Sequence, residues 1–337
     1  MQRIAQDNDT DNEPRLCSIY SNDANYQASN LTDWDQEFDQ ISDGYFLGSI
    51  DEIHFEGVHV FKETTNRSLR QQCRVNNPGI WLGFSSDNKS CLINNRAAPS
   101  DQFLCMPSGQ DFELLTPDHF SIFGIVLNQQ QLSEAVGDDI DLTSNHDELW
   151  LNHLCPTRLM DFRNYLTALL SAQHPAWSCH THEVILRDAV FDLLYQSKLS
   201  GSNDTIPAQR QRVIARIKEY LNDAQLQSPI TITDICQAVH VSRRSLQDVF
   251  NACFGISPKR YIHMLRLNQV RRALLQSSNN NTVADIAFNF GFFHLGQFSQ
   301  DYKRLFGECP SDTAKRQRVN SEQPISSSSK EIVDVTL

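Results

Sequence analysis

The last third of the chain contains an internal repeat, which restricts the possible folds more than any other feature of the sequence. The segment Ile232–Cys236 recurs 51 residues later as Val283–Ala287. Farther along, Phe254-Gly255-x-x-Pro258 recurs 52 residues later as Phe306-Gly307-x-x-Pro310, so the second copy has one additional residue in between. Two copies of one pattern indicate that this region folds as a single supersecondary unit used twice.

Each copy has the pattern of two short helices joined by a tight turn. Cys236 in the first copy and Ala287 in the second are small residues, which suit a point where two helices cross closely. The turn follows at His240 and at Gly291, where we expect a positive φ, a conformation that glycine adopts more readily than histidine. Ser242 is then a good N-cap for the second helix. Each copy is therefore predicted to be a helix-turn-helix unit.

The second helix of each unit presents an outward stripe, and a longer helix connects the two units. The stripe residues are Arg244, Gln247, Asp248 and Asn251 in the first unit, and Gly296, Ser299, Gln300 and Lys303 in the second. The connecting helix should begin at Ser257 and Pro258 and run to about Leu275, a length of about 27 Å. This length suits two helices that enter successive major grooves of B-DNA, about 34 Å apart.

Charge is distributed unevenly along the chain. The net charge is −12 overall, but residues 209–318 hold 16 Lys and Arg against 8 Asp and Glu, a local net charge of +8. The asymmetry favours a basic DNA-binding module carried by an acidic domain, although a helical packing module that binds no DNA stays open. We expect the following basic residues to contact phosphates: Arg243, Lys259, Arg260, Arg266, Arg271, Arg272, Lys303 and Arg304.

Three segments of this region carry a family resemblance. Val241–Gln247, Met264–Asn268 and Gly291–Phe298 resemble the DNA-binding domain of the AraC/XylS family of transcription regulators. The resemblance implies binding to double-stranded promoter DNA and activation through contact with RNA polymerase. The positions that read bases in the family fall on Arg244, Gln247, Asp248, Gly296, Ser299 and Gln300. Since Gly296 has no side chain, the first unit is expected to carry most of the sequence specificity.

The N-terminal two thirds combines strands with helices, so the predicted fold class is α+β. Apolar runs such as Ile80–Phe84 and Phe120–Leu127 are separated by turn residues, which fits a small antiparallel barrel or sandwich. The family resemblance implies a cupin-like, effector-binding domain here. A short amphipathic helix is expected at Leu31–Ile41, and further helices within 129–199, including Pro156–Ser171 and Glu183–Lys198.

These patterns divide the chain into five segments. We expect a disordered tail over 1–30, an effector-sensing domain over 31–200 and a linker over 201–208. The all-α domain with two helix-turn-helix units and a long connecting helix should cover 209–318. A second disordered tail is expected over 319–337.

The effector is suggested by a further resemblance within the family. The segments Gly57–Thr64, Ser68–Cys73 and Trp81–Phe84 are similar to regulators of ethanolamine-utilisation operons. That similarity implies sensing of ethanolamine, with adenosylcobalamin as a second effector, and activation of a catabolic operon. A regulator of another pathway, with a different or degenerate sensor, stays open. Glu63, Arg70 and Trp81 are the candidate effector ligands, because a carboxylate pairs with an amine and an indole face attracts a cation.

Other functional classes lack their sequence signatures. The nine cysteines contain no C-x-x-C pair, and the cluster Cys179–His182 would splay around a helix, so no metal site is expected. An enzyme fused to the helix-turn-helix domain is a remote alternative without a supporting motif, and we expect no catalytic residues. Residues 1–30 lack the apolar core of a signal peptide or membrane anchor, which predicts a cytoplasmic protein without a membrane partner. A homodimer is possible.

Overall fold

The computed structural model describes residues 14–128, 130, 150–153, 156–171, 179–199, 208–223, 232–276, 281–322 and 329–333. The predicted linker at 201–208 lies outside these residues apart from Ala208, which begins a helix. No described helix is both long enough and apolar enough to cross a membrane.

Within the described residues, the strands form two antiparallel sheets. In spatial order, the first sheet contains β12 (Trp150–His153), β9 (Gln102–Pro107), β6 (Gly79–Ser85), β11 (Phe120–Asn128), β4 (Val58–Thr65), β3 (Gly48–Phe55), β1 (Leu16–Ser21) and β13 (Ser329–Val333). The second contains β2 (Trp34–Gln40), β5 (Leu69–Val75), β10 (Asp111–Thr116), β7 (Cys91–Ile93) and β8 (Arg96–Ala98). The expected antiparallel β domain is confirmed, whereas the cupin-like description stays a prediction.

Both faces of the first sheet are covered. One face packs against the second sheet around buried Phe38, Phe61 and Trp81. The other face packs against helices α2 (Pro156–Leu169) and α3 (Cys179–Leu199). These two helices confirm the helical prediction for Pro156–Ser171 and Glu183–Lys198. We call the sheets with these helices and α1 (Ala24–Ala28) the N-terminal sandwich.

Two predictions for the start of the chain are wrong. The expected helix at Leu31–Ile41 is instead strand β2, because Trp34 and Phe38 are four residues apart and therefore share a face in a strand as well as in a helix. The expected disordered tail at 1–30 is ordered over its described part, residues 14–30, which contains β1 and α1 with buried Leu16 and Ala24, while residues 1–13 lie outside the described residues. Both elements pack because their apolar side chains fill the edge of the sandwich.

The C-terminal helical domain has two small cores, one for each unit. Its helices are α4 (Ala208–Asp223), α5 (Ile232–Ala238), α6 (Arg243–Phe254), α7 (Pro258–Gln276), α8 (Val283–Asn289), α9 (Leu295–Phe306) and α10 (Pro310–Glu322). Leu246 and Phe250 anchor the core of the first unit, and Phe298 and Tyr302 anchor that of the second. The connecting helix α7 contributes Tyr261 to the first core and Leu267 to the second, so the two units are held together as predicted.

The end of the chain also departs from the prediction of a disordered tail over 319–337. Helix α10 continues to Glu322, and β13 pairs antiparallel with β1, from Leu16 opposite Val333 to Tyr20 opposite Ser329. Strand β1 offers an unpaired edge, which β13 occupies.

Candidate nucleic-acid interface

The two tight turns adopt the backbone conformation predicted from the repeat. His240 has a φ of 54° and Gly291 has a φ of 79°. Helices α6 and α9 each end on a glycine with positive φ, Gly255 at 65° and Gly307 at 75°. A left-handed glycine allows the chain to leave the helix and start the next one at proline after two intervening residues. The repeat therefore reproduces one backbone path twice.

The first unit presents a rigid, polar recognition helix. The Ser242 side chain caps α6 by accepting a hydrogen bond from the Ser245 backbone N–H at 3.1 Å. Arg244 and Asp248 are exposed on this helix, and Gln247 is half-buried with its Nε2 donating to Asn251 Oδ1 at 2.9 Å. These side chains offer both donors and acceptors, which is what reading of base edges requires.

The second unit presents a smaller and more apolar surface. Gly296, Ser299 and Gln300 are exposed on α9, as predicted. Phe293 and Leu295, beside the start of this helix, are 67% and 36% exposed. The sequence analysis did not select Phe293, although an aromatic residue outside the apolar stripe of its unit is a sequence signal for a contact surface. Apolar side chains at this position are suited to contact thymine methyl groups.

A basic cleft lies between the two units. It has a volume of about 590 Å³ and includes side chains from α5, α7 and α9 in its walls. Four of the predicted phosphate-contacting residues line it: Lys259, Arg260, Arg266 and Arg304. Arg243 and Lys303, also predicted to contact phosphates, are exposed on α6 and α9. The geometry thus concentrates positive charge where a nucleic-acid backbone can pass between the units.

The prediction that Arg271 contacts phosphate is wrong. Its guanidinium is buried against the N-terminal sandwich, with Nε 2.8 Å from Asp23 Oδ2 and one Nη 2.8 Å from Glu308 Oε1. Burial opposes the charged form of Asp23, but Arg271 outweighs it and holds the pKa of Asp23 below its ordinary value. The sequence already indicated that Arg271 is buried, because it lies on the apolar face of α7, between Leu267 and Leu274.

The same prediction is also wrong for Arg272. This side chain points toward β2, with one Nη 2.8 Å from Asp39 Oδ1 and the other 3.2 Å from Glu37 Oε1. Beside it, Asn268 forms two hydrogen bonds with the backbone of Gln40, each 2.9 Å long. One face of α7 is therefore an interface with the N-terminal sandwich, while other α7 residues line the basic cleft.

The sandwich also contacts the two basic residues at the rim of the cleft. Asp43 Oδ2 lies 3.1 Å from the Arg260 guanidinium and 3.7 Å from that of Arg304. The backbone N–H of Gly44 donates to the carbonyl oxygen of Leu305 at 3.0 Å, near the end of α9. The loop of the sandwich that contains Asp43 thus places a carboxylate against two of the cations that line the cleft.

The three candidate effector ligands do not lie together. Glu63 and Trp81 face the space between the sheets, whereas Arg70 is on the outer face of β5, with Nε 2.7 Å from Glu113 and Nη1 3.2 Å from Asp39. Arg70 therefore belongs to the charged network that reaches Arg272, and its assignment as an effector ligand is corrected. The difference arises because adjacent strand residues point to opposite faces.

Glu63 is a buried carboxylate without a cationic partner in its immediate hydrogen-bond network. Burial raises the pKa of Glu63 to about 7, although hydrogen bonds from Gln27 Nε2 at 3.3 Å and Gln71 Nε2 at 3.0 Å oppose the rise. The Trp81 ring stacks on Phe112 at 4.8 Å and meets Trp34 edge-on at 5.7 Å. Protein rings thus occupy the positions around Trp81 in this conformation.

Comparisons with known proteins agree on the C-terminal helical domain. Residues 235–316 match the family model described as a helix-turn-helix domain. Over 110 residues, the chain is 33% identical to the XylDLEGF operon transcriptional activator 3 of Pseudomonas putida. The aligned residues are 32% of this chain and 33% of that protein. It is 32% identical over 119 residues to a probable thc operon regulatory protein of Rhodococcus erythropolis, covering 35% and 34% of the two chains.

A solved structure is similar over a comparable share of the chain. The crystal structure of a probable AraC family transcriptional regulator from Rhodopseudomonas palustris is 31% identical, covers 31% of this chain and 96% of that one, and aligns with a TM-score of 0.29. The matched region spans about a third of the length of the curated relatives. The curated relatives that match are named as a transcriptional activator and an operon regulatory protein. The C-terminal helical domain of this chain is therefore a helix-turn-helix domain similar to those of AraC/XylS-family transcription regulators.

Proposed function

We propose that this protein is an effector-responsive transcription activator that binds promoter DNA through α6 and α9. The observation that supports this most strongly is the basic cleft between two units with matching turns, each presenting an exposed recognition helix. In this proposal α6 enters the major groove, where Arg244 donates to guanine and Gln247 pairs with adenine. Lys259, Arg260, Arg266 and Arg304 neutralise the phosphates beside it.

The first experiment identifies the DNA and tests the reading helix. Full-length protein selects fragments from a random duplex library, and footprinting then locates the bound site. Arg244→Ala should weaken binding to that site far more than binding to random duplex. Arg74→Ala is the matched control, because Arg74 is 48% exposed on the sandwich, away from the cleft. A protein that selects no sequence, or an Arg74→Ala variant with the same loss, would refute the assignment.

The N-terminal sandwich is proposed to control this activity. Asp43 pairs with Arg260 and Arg304 at the cleft, so a change in the sandwich that withdraws the acidic loop would release two cations for DNA. An effector produces such a change only if it binds the released arrangement more tightly than the closed one. The released arrangement is then the one that holds promoter DNA and contacts RNA polymerase.

The effector is proposed to be a small cationic amine, with ethanolamine as the specific candidate and adenosylcobalamin as a possible second effector. Support comes from Glu63, a fully buried carboxylate whose raised pKa would fall again beside an ammonium group. Binding requires the aromatic side chains around Trp81 to rearrange. A regulator of another catabolic operon, with a different effector, is the second candidate. It is favoured because Arg70, one of the three candidate effector ligands, belongs to the charged network on the outer face instead.

A reporter experiment separates these candidates. Output from the selected promoter is compared with and without ethanolamine and adenosylcobalamin, for the wild type and for Glu63→Gln. The response should be lost in Glu63→Gln at unchanged protein level, while Asp111→Asn, a carboxylate that is 83% exposed, keeps it. A wild type indifferent to both compounds would exclude the ethanolamine candidate and leave the DNA-binding proposal in place.

A further inference from the structure

Three side chains with metal-binding atoms meet at one end of the β3–β4 hairpin. They are Glu52, His54 and His59, and their ligand atoms all lie within 4.8 Å of one another. Glu52 Oε2 is 3.0 Å from His59 Nε2 and 3.5 Å from His54 Nε2. This cluster is separate from the basic cleft and from the surroundings of Glu63.

The hairpin holds these side chains in a defined arrangement. His54 and His59 are directly opposite each other in the register of β3 and β4, and their rings stack at 3.9 Å. Glu52 precedes His54 by two residues and therefore projects from the same face of the strand. The turn between the strands includes Gly57, which has a φ of 79°. The three ligands are thus built on one rigid element.

The distances match those within a metal coordination sphere. Zinc binds imidazole nitrogen at about 2.0–2.1 Å and carboxylate oxygen at about 2.0–2.2 Å, so two ligands of a tetrahedral ion are roughly 3.3 Å apart. The two separations from the Glu52 oxygen, 3.0 and 3.5 Å, bracket this value.

The cluster opens onto a small cavity with further oxygen donors. The cavity has a volume of about 110 Å³, and its lining includes His54, His59, Asp33 and Asn128. That volume accommodates an ion with bound water in addition to the protein ligands. Asp33 is exposed at the mouth of the cavity, where its carboxylate can approach an ion.

The alternative is a simple hydrogen-bonded Glu52–His59 pair. It explains the 3.0 Å contact, but it leaves unexplained why His54, two residues along β3 from Glu52, converges on the same oxygen as His59 of β4.

We propose that Glu52, His54 and His59 bind one divalent transition-metal ion of the Zn²⁺ class, with Asp33 or water completing the coordination. Two imidazoles and one carboxylate suit Zn²⁺, Co²⁺ and Ni²⁺, whereas Mg²⁺ and Ca²⁺ prefer sites made of oxygen alone. The sequence analysis missed this site because its ligands are spaced as in an ordinary hairpin, without a C-x-x-C or H-E-x-x-H pattern.

Full-length protein freed of metal by chelator is titrated with Co²⁺, whose visible absorption reports coordination, and bound Co²⁺ is then displaced with Zn²⁺. The wild type should bind one Co²⁺ at this site, without the near-ultraviolet charge-transfer band that thiolate ligands produce. His54→Ala and Glu52→Gln should each lose that spectrum. His54 is 44% exposed, so its replacement leaves the fold intact, as circular dichroism will verify.

Two controls distinguish this site from other histidines. His119→Ala changes an exposed residue of the same sandwich, and His180→Ala changes a residue that is 84% exposed on α3, within the Cys179–His182 cluster. Both variants should keep the Co²⁺ spectrum. A folded His54→Ala variant that binds Co²⁺ as the wild type does would overturn the proposal. So would loss of the spectrum in His180→Ala, or a thiolate charge-transfer band.

Discussion

The two helix-turn-helix units share one backbone path but differ in what surrounds it. In the first, Ser242 caps the recognition helix, which carries an Arg, a Gln and an Asp on its outward stripe. In the second, His294 precedes the recognition helix without a side-chain cap, and the stripe begins with Gly296. The second unit has its capping box one helix earlier, where Thr282 and Asp285 cap α8.

The difference extends to how each unit meets the N-terminal sandwich. Around the second unit, Arg271 joins Asp23 of the sandwich to Glu308, and Gly44 bonds to the end of α9. Around the first unit, Ile41 of the sandwich enters the apolar core, and Asp43 pairs with Arg260 near the start of α7. Under the proposed function, the units divide the work: the first reads DNA, and the second receives the signal from the sandwich.

The largest expected effect concerns the attachment of the second unit. Arg271→Ala leaves Asp23, which is 0% exposed, as a buried carboxylate without its cation, and should cost about 3–5 kcal/mol of the unfolding free energy. The matched change in the first unit is Arg243→Ala, an exposed side chain that donates to Thr233 and should change stability by less than about 0.5 kcal/mol. Urea unfolding of the full chain measures the change in unfolding free energy for each variant. Similar losses would contradict the difference between the two units.

The next effect concerns DNA reading. Arg244→Ala should cost about 1–3 kcal/mol on the selected site, because a bidentate contact to a base is lost, whereas Ser299→Ala should cost less than about 1 kcal/mol. Titrations of labelled duplexes, specific and random, give both values. If Arg244→Ala weakens both duplexes alike, the side chain contacts phosphate, and the first unit is not the main reader.

A smaller effect tests the two turns. Gly291→Ala should lower the unfolding free energy by about 1–2 kcal/mol, because a Cβ at a φ of 79° is strained even though it would meet no atom within 4 Å. His240→Gly should instead raise it, by less than about 1 kcal/mol, because relief of strain is offset by the added freedom of the unfolded chain. Thermal unfolding of the two variants should show opposite signs, and equal signs would mean that the turns are not equivalent.

The smallest effect is a pH dependence that arises at His263, on α7 beside the second unit. Burial lowers the pKa of His263, although Asp301, 3.1 Å away, opposes the shift. A depressed histidine pKa contributes stability that is present above its ordinary value of 6.5 and is lost as the pH falls. His263→Gln should therefore reduce the loss of stability between pH 7 and pH 5. A variant with the wild-type slope would show that His263 does not contribute to it.

The sequence predicted the features that depend on local chemistry. Positive φ at His240 and Gly291, the cap at Ser242 and the start of α7 at Pro258 all follow from residue type and spacing. The strand β2 was missed, because an i, i+4 apolar pair fits both helix and strand.

The interface between the domains could not be predicted in the same way. Arg271 was assigned to DNA because its partner, Asp23, lies 248 residues earlier in the chain, and a single sequence contains no sign of that pairing. The same limit applies to the ligand cluster on the β3–β4 hairpin, which depends on a register between strands. Local rules thus predicted the two exposed helices of the repeat, and tertiary contacts decided which basic residues line the cleft and which pair with the sandwich.

The pairing of β13 with β1 makes the C-terminal helical domain an insertion within the N-terminal sandwich and not an appendage at its end. The domain is anchored on both sides, by the chain that enters at α4 and by the strand that returns after α10. Two connections to the sandwich restrict how far the domain can move relative to it more than a single linker would.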